Sequence, residues 1–363
     1  MKRYEERLEQ DLQDIRTRVA QLFAAVTDSV EDAVRAFLNL DRKLASGVIL
    51  GDYAVNRATR DIDGLCHIFV ALHLPSAGIL RYISSVLRLT REVERVGDYA
   101  VGVARAALQL SRPLPTDVAR DFELLAGDSQ HLLREAMRAF NESNPELARA
   151  TKQTALREHT TFDKVYEDLL REGEKGLWPM RELFALQFSF IRLTRISDQA
   201  KNICEETLFA ATGEAKQPKI FRILFLDERN DFCSILAEAL ARKGFGGSGQ
   251  FHSAGWKPAE RARPEVLAFL DHRGYDISEL APRAVSTSPL ELAANHVIVS
   301  LEGDVRPRLP VVPFYTAVLE WEVASGLGDA DVQVDEAQLE NAYKELSLHI
   351  RDLMKTLSGK LSS

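Results

Sequence analysis

Residues 222–240 read RILFLDERNDFCSILAEAL, and this stretch decides the fold class of the C-terminal part of the chain. It begins as an apolar strand-like run, passes through a polar loop and ends in a helical pattern. A loop between a strand and a helix can hold an oxyanion, because backbone N–H groups and the helix N-terminus point into it. The predicted anion-binding loop consists of Asp227, Glu228, Arg229, Asn230, Asp231, Phe232, Cys233 and Ser234.

Strand-like and helix-like segments alternate after this stretch as well. The strand-like segments are KIFRILFL, QFHSAGW and HVIVSL, and the helical patterns between them are CSILAEALARKG, RPEVLAFLDHRG and SPLELAAN. Such alternation is typical of a parallel sheet covered by helices, so the sequence predicts an α/β domain. A last amphipathic helix is predicted at 336–357, where apolar residues recur at helical spacing and would pack against the sheet.

The chain before this domain is predicted to be helical throughout. Short breaks are expected around Pro75, at 111–115, at 141–145 and at Pro179. The polar stretch GEAKQPK leads into the α/β domain and is typical of a linker. The predicted domains are a first helical bundle at 1–110, a second at 111–212, a linker at 213–218 and the α/β domain at 219–357.

An internal repeat relates the two helical halves. EVERVGDYAVGVA at 92–104 aligns with RLTRISDQAKNIC at 192–204 at an offset of 100. This offset pairs Arg95 with Arg195, Val96 with Ile196, Asp98 with Asp198 and Ala100 with Ala200. A second alignment is open, because RLTR occurs at both 88–91 and 192–195. We favour the first, which aligns an acidic residue and the small residue after it, and which predicts paired three-helix bundles.

The charge, the hydropathy and the cysteine content of the chain argue against several classes of protein. The chain has 363 residues and a net charge of −8, which argues against nucleic-acid binding as its main activity. The N-terminal MKRYEERLEQ is charged, and no run of about 18 apolar residues is present, so neither a signal peptide nor membrane insertion is expected. Three distant cysteines do not form a disulfide framework. We expect a cytoplasmic protein, and oligomerisation with further copies stays open.

Two carboxylates of the first half lie on one helix face. Glu94 and Asp98 are four residues apart, and Asp98 has a counterpart in Asp198. An isolated pair of this kind is usually a solvated acidic edge. The alternative is a site for a divalent metal or iron, because carboxylates on facing bundle helices can supply oxygen ligands.

The helical half resembles the PhoU family of phosphate-uptake regulators over about 1–212. The resemblance rests on EVERVGDYA preceded by LPSAGILRYISS, on VILGDYAVNRATRDIDGLC at 48–66 and on SDQAKNICEETLF at 197–209. It implies two three-helix bundles that contact the ATPase of the phosphate transporter and a sensor histidine kinase. It also implies metal binding at Glu94 and Asp98. A second, weaker metal site would involve Asp198 and Glu205, because Thr194 stands where the family has an acid.

The C-terminal half resembles the low-molecular-weight tyrosine phosphatase and arsenate reductase family. Its matching motifs are ILFLDERNDFCSILAEAL, HSAGW, HRGYDISELAPRAV and LEWEVASG. The resemblance implies a three-layer α/β domain with a four-stranded parallel sheet. In the family's pattern the nucleophilic Cys falls on Asp227, the phosphate-clamping Arg on Cys233 and the acid Asp on Ser325. All three groups are therefore missing, and we expect no turnover.

Three residues offer alternatives to an inactive loop. Cys233 near a helix N-terminus could be a nucleophile, but a small buried Cys is the more common case. Arg229 could replace the lost clamp or simply pair with a neighbouring acid. Asp227 could accept a phosphoryl group.

The resulting main hypothesis is a non-catalytic regulator whose second domain is a scaffold or senses a phosphate-like oxyanion. The two alternatives are a divergent protein-tyrosine phosphatase or arsenate reductase, and a metal-binding helical module without a phosphate role.

Overall fold

The computed structural model describes residues 2–155, 168–176, 178–216, 219–309, 312–313, 316–323 and 334–359. The chain forms two compact units, Met1–Lys216 and Gln217–Ser363, which divide inside the predicted linker 213–218. Within the described ranges, no helix combines the length and apolar character that crossing a bilayer requires.

The first unit is helical, as the sequence predicts. Its helices are α1 (Lys2–Asn39), α2 (Arg42–His73), α3 (Ala77–Ala107), α4 (Thr116–Asn141), α5 (Pro145–Ala155) and α6 (Met180–Thr212), with further helical residues at 168–174. The breaks expected around Pro75, at 111–115, at 141–145 and at Pro179 are confirmed.

The turn between α1 and α2 was not predicted. Leu40 has a left-handed φ of 54°, and the Asp41 side chain accepts the backbone N–H groups of Lys43 at 3.0 Å and Leu44 at 2.9 Å. Asp is a preferred helix N-cap because its carboxylate satisfies these first N–H groups. Neither Gly nor Pro marks the turn, so Asp41 is its only local signal.

A single hydrophobic core joins the two bundles. Phe37 of α1 stacks on Phe122 of α4 at 4.4 Å between ring centroids, and Phe122 meets Phe190 of α6 edge to face at 5.4 Å. All three rings are buried. Aromatic pairs in these arrangements add to the free energy of apolar burial, so they fasten the first bundle to the second.

The burial pattern supports the repeat at an offset of 100. Helices α3 and α6 bury residues at equivalent positions along their length. The buried pairs include Val86 and Leu186, Val93 and Leu193, Val96 and Ile196, Ala100 and Ala200, Val103 and Ile203, and Ala104 and Cys204. The two central helices therefore present the same face to the core.

The second unit contains a parallel sheet. Its strands are β1 (Phe221–Asp227), β2 (Gly249–Gly255), β3 (Val297–Ser300) and β4 (Ala317–Glu320), in the order β2-β1-β3-β4. Its helices are α7 (Cys233–Phe245), α8 (Pro264–His272), α9 (Pro289–Ala293) and α10 (Glu336–Leu357), with a 3-10 turn at Arg306–Arg308.

Successive residues of β1 face opposite layers, which is the period of a strand. Ile223 and Phe225 belong to a core shared with α7, α8 and α10, whereas Leu226 packs with Leu292 of α9 on the other face. The predicted three-layer fold with four parallel strands is confirmed. The predicted last helix is confirmed too, as α10, and it buries Leu339, Ala342, Leu346, Ile350 and Met354.

Candidate functional site

The loop after β1 lies at the carboxyl edge of the sheet, where α/β proteins bind ligands. β1 ends at Asp227, which is paired in register with Gly255 at the end of β2, and α7 begins at Cys233. The loop passes very close to β2, since a Cβ on Gly255 would lie 2.8 Å from the backbone nitrogen of Asn230. Only glycine permits this approach.

Asp227 directs its carboxylate back into the loop. Its Oδ1 accepts the N–H of Asn230 at 2.6 Å, and its Oδ2 accepts the N–H of Ser234 at 2.9 Å. The side chain is 4% exposed. Burial raises the pKa of Asp227, although the hydrogen bonds from Ser234 and Asn230 oppose that shift. Two N–H groups of the loop thus already have an anionic acceptor from the chain itself.

Asn230 fixes the shape of the loop. Its φ of 48° is left-handed, a conformation that Asn tolerates better than most residues. Its Nδ2 donates to Ser234 Oγ at 2.8 Å, and its Oδ1 accepts the N–H of Arg283 at 2.7 Å. Asn230 and Ser234 are fully buried, so these bonds are shielded from water and hold the turn in one conformation.

A second carboxylate reaches the loop from the segment that follows β3. Glu302 Oε2 accepts the N–H of Glu228 at 2.8 Å. Desolvation and the charge of Asp227 raise the pKa of Glu302. The Glu228 side chain turns outward to Arg308 and Lys257, and the hydrogen bond from Arg308 is the main reason why the pKa of Glu228 is lowered. Sequence reasoning missed Glu302, although its position just past a parallel strand places it at the same sheet edge.

Asp231 forms ion pairs with Arg229 of the loop and with Arg263. Arg229 Nε lies 2.9 Å from Asp231 Oδ2, and Arg263 Nε lies 3.4 Å from Asp231 Oδ1. Of the two possibilities raised for Arg229, the structure shows the pairing with a neighbouring acid. Phe232 is buried, with the Arg263 guanidinium 5.7 Å from its ring centroid.

Cys233 is the small buried cysteine that the sequence favoured. It is 6% exposed, and burial raises the pKa of its thiol well above the usual value, with further contributions from the charges of Asp227 and Glu302. The thiolate is the nucleophilic form of cysteine, and these surroundings disfavour it. Ser325, at the position of the family's acid, lies outside the described residues.

In the helical unit, unpartnered oxygens occur between α2 and α3. Asp52 Oδ1 and Asn56 Oδ1 are buried and have no hydrogen-bond partner among the described residues, while Asn56 Nδ2 donates to Asp52 Oδ2 at 2.9 Å. Burial and the charge of Asp98 raise the pKa of Asp52. Asp98 is exposed and Glu94 half-buried on the same stretch of α3. Asp98 of the predicted pair therefore lies close enough to the Asp52 carboxylate to influence its pKa.

The acids of the second half are neutralised by basic side chains. Asp198 Oδ2 lies 3.1 Å from Arg195, and Glu205 lies 3.0 Å from Lys152 and 2.6 Å from Lys216. Burial raises the pKa of Glu205, but hydrogen bonds from Lys216 and Lys152 outweigh it and lower the pKa overall. Among the described residues, no group of three or more His, Cys, Asp or Glu side chains is arranged to hold a metal ion.

Comparison with known proteins matches both units. The family model described as "PhoU domain" matches residues 19–107 and 122–207, and that described as "Low molecular weight phosphotyrosine protein phosphatase" matches 222–363. The two PhoU matches end at 107 and 207, the same offset of 100 that the repeat and its burial pattern show.

Three known proteins are similar to parts of the chain. The phosphate-specific transport system accessory protein PhoU of Serratia marcescens is 28% identical over 208 residues, which cover 56% of this chain and 84% of the relative. The crystal structure of PhoU from Pseudomonas aeruginosa is 26% identical with a TM-score of 0.53, covering 57% of this chain and 99% of that one. A thioredoxin-dependent arsenate reductase of Corynebacterium glutamicum is 24% identical with a TM-score of 0.32, covering 46% of this chain and 78% of that one.

Proposed function

Because the chain joins PhoU domains to a low-molecular-weight phosphatase-like domain, we propose that it regulates phosphate uptake or phosphate signalling by binding partners rather than by catalysis. The similarity to accessory proteins of the phosphate-specific transport system supports this role. The proposed partners are the ATPase of the phosphate transporter and a sensor histidine kinase.

The observation that carries the non-catalytic part of the proposal is the buried carboxylate of Asp227. It accepts the loop N–H groups of Asn230 and Ser234, which an oxyanion would otherwise compete for. Glu302 takes the N–H of Glu228 in the same way. A bound phosphate would meet two carboxylates of like charge, so the geometry favours a scaffolding role over oxyanion sensing.

Hydrolysis of an aryl phosphate by the pure full-length chain tests this part of the proposal. We expect no turnover above buffer at any pH between 5 and 8, and the same result with Cys233→Ser and Asp227→Asn. Turnover that is lost in either variant would establish a divergent phosphatase and overturn the proposal. A variant with Asp276→Asn, an exposed Asp of the same domain, is the matched control.

Affinity purification from phosphate-starved and phosphate-replete cells tests the regulatory part. We expect the full chain to recover a subunit of the phosphate transporter or a sensor kinase, in amounts that depend on the phosphate supply. Recovery of neither in both conditions contradicts the regulatory role, whatever the result of the hydrolysis assay.

A cation site in the first half is a second proposed activity, supported by the unpartnered Asp52 Oδ1 and Asn56 Oδ1. Buried oxygens without a partner suit a hard divalent cation or iron. Asp98 and Glu94 would have to move to supply the further carboxylates, because the described residues are not grouped around a metal ion. The second half does not fit such an ion, because Lys152 and Lys216 already neutralise Glu205 and Arg195 neutralises Asp198.

Elemental analysis distinguishes the two halves. We expect metal in the purified wild type, loss of metal in Glu94→Ala/Asp98→Ala, and retention of metal in Asp198→Ala as the matched control. If the wild type contains no metal after purification without chelator and after dialysis against Mg²⁺, Mn²⁺ or Fe²⁺, the proposed cation site is refuted.

A further inference from the structure

A groove runs between α1 and α2 on the first bundle. Its volume is about 480 Å³, and its floor is formed by buried apolar side chains, among them Leu22 of α1 and Val48, Val55 and Ile62 of α2. On α1 the lining extends from Arg18 to Asp32, and at 1.5 Å per residue this span is about 21 Å. The groove has the length of about four helical turns.

Negative charge dominates the rim of this groove. Its lining includes Asp28, Asp32 and Asp61 but only one basic residue, Arg18, which pairs with Asp14 at 3.1 Å. Within the described ranges, Asp28 and Asp61 have no ion-pair partner, and both are exposed. An apolar floor bordered by uncompensated carboxylates is complementary to a helix with one apolar face and Lys or Arg beside it.

The α2 wall of the groove is open to close approach. Added Cβ atoms on Gly47 and Gly51 would meet no atom of the described residues within 4 Å, so no packing in that part of the chain requires glycine there. Glycine in the middle of a helix is unfavourable relative to alanine.

We propose that this groove binds a basic amphipathic helix of a partner protein, apolar face inward and Lys or Arg side chains against Asp28 and Asp61. The inference rests on the proposed partner-binding function and assigns it a surface and a partner chemistry. The carboxylates select the basic partner and speed its approach, while the apolar floor holds it.

A synthetic peptide provides the probe. We would measure fluorescence anisotropy with a labelled helix of Leu and Ala on one face and Lys on the flanks, and with a counterpart in which Glu replaces every Lys. The basic peptide is expected to bind wild type with an affinity that falls as salt is raised, and the acidic peptide is not. No binding of the basic peptide at 100 µM, or equal binding of both peptides, overturns the proposal.

Two substitutions test the location. Gly51→Leu fills the groove, whereas Gly64→Leu, on the same helix outside the lining, is the matched control because its Cβ also meets nothing within 4 Å. We expect Gly51→Leu to weaken binding at least tenfold and Gly64→Leu to leave it unchanged. Asp28→Lys/Asp61→Lys is expected to weaken binding and to flatten its salt dependence. Equal affinity of all variants refutes the groove, and circular dichroism verifies that each is folded.

Affinity purification with Gly51→Leu separates this inference from the proposed function. If wild type and Gly51→Leu recover the same phosphate-transport partner equally well, the partner does not bind in the groove, and the proposed regulatory function stands. If wild type binds the peptide but recovers no such partner, the regulatory function is wrong and the groove stands.

Discussion

Asp227→Ala should loosen the loop after β1, because it removes the acceptor of two buried N–H groups. The N–H groups of Asn230 and Ser234 donate to the two oxygens of this carboxylate at 2.6 and 2.9 Å. Each buried donor left without an acceptor costs about 1–3 kcal/mol. Part of this cost is offset because burial of the Asp227 carboxylate is itself unfavourable, as the direction of its pKa shift shows.

The substitution should therefore lower the free energy of opening this loop by about 2–3 kcal/mol. Since 1.4 kcal/mol corresponds to a factor of ten, amide hydrogen exchange in this loop should be roughly 30- to 140-fold faster in the variant. Hydrogen exchange with mass spectrometry on the full chain measures this in peptides that cover 227–240. Peptides from α1 to α6 should be unchanged and provide the internal reference.

Asp276→Ala is the matched control. Asp276 also accepts a backbone N–H, that of Ser278 at 3.0 Å, but it is an exposed residue of the same domain. Its removal should leave exchange at 227–240 unaltered. Inorganic phosphate at millimolar concentration should not slow exchange in the wild-type loop, because the carboxylate already accepts these N–H groups. Protection in Asp227→Ala within about threefold of wild type, or clear slowing of the wild type by phosphate, would refute the reasoning.

Two further predictions concern buried titratable groups. All three cysteines are buried, and burial raises the pKa of Cys66 and Cys204 to about 12. We therefore expect no thiol to react with a disulfide reagent in the native protein at pH 7, and three to react in denaturant. One thiol that reacts fast in the native protein would point to a reactive nucleophile. Glu205→Gln should destabilise the helical unit by about 1–2 kcal/mol at pH 7, a value reduced because its lysine partners are partly exposed. Because the pKa of Glu205 is lowered in the folded state, the wild type should be more stable than the variant above pH 4.5, the ordinary pKa, and should lose this advantage as the pH falls through the folded pKa. Denaturation followed by circular dichroism at pH 7 and pH 3 measures the difference in stability. Equal differences at both pH values would contradict the prediction.

The sequence predicts those features that repeat along the chain. Helical spacing and strand alternation depend on neighbouring residues, so the helical half and the four-stranded parallel sheet were predicted correctly. The α1–α2 turn at Leu40 was missed because its signal is a single N-cap residue. Contacts between distant residues were missed for a different reason. Glu302 reaches Glu228 across 74 positions, and only the parallel order of β1 and β3 brings them together.

The predicted metal ligands also depend on contacts between residues that are far apart in the sequence. An acidic residue at a repeat position predicts a ligand, but its partners decide whether it is available. Glu205 looks like a ligand in the sequence, yet Lys152 from α5 and Lys216 after α6 both contact it. Asp52 and Asn56 were recognised only as part of a motif, and their unpartnered oxygens emerge from the packing of α2 against α3.

In each unit, the chain's own side chains already pair with groups that the resemblance predicts for ligand binding. In the second half of the helical unit, two ammonium groups provide the positive charge that a cation would bring to Glu205. In the α/β unit, the carboxylate of Asp227 provides the negative charge that an anion would bring to the loop. An internal counter-charge is present at every concentration of ligand, so we expect neither site to report that concentration. We therefore expect any response to a cation to come from Asp52 and Asn56, whose buried Oδ1 atoms have no hydrogen-bond partner among the described residues.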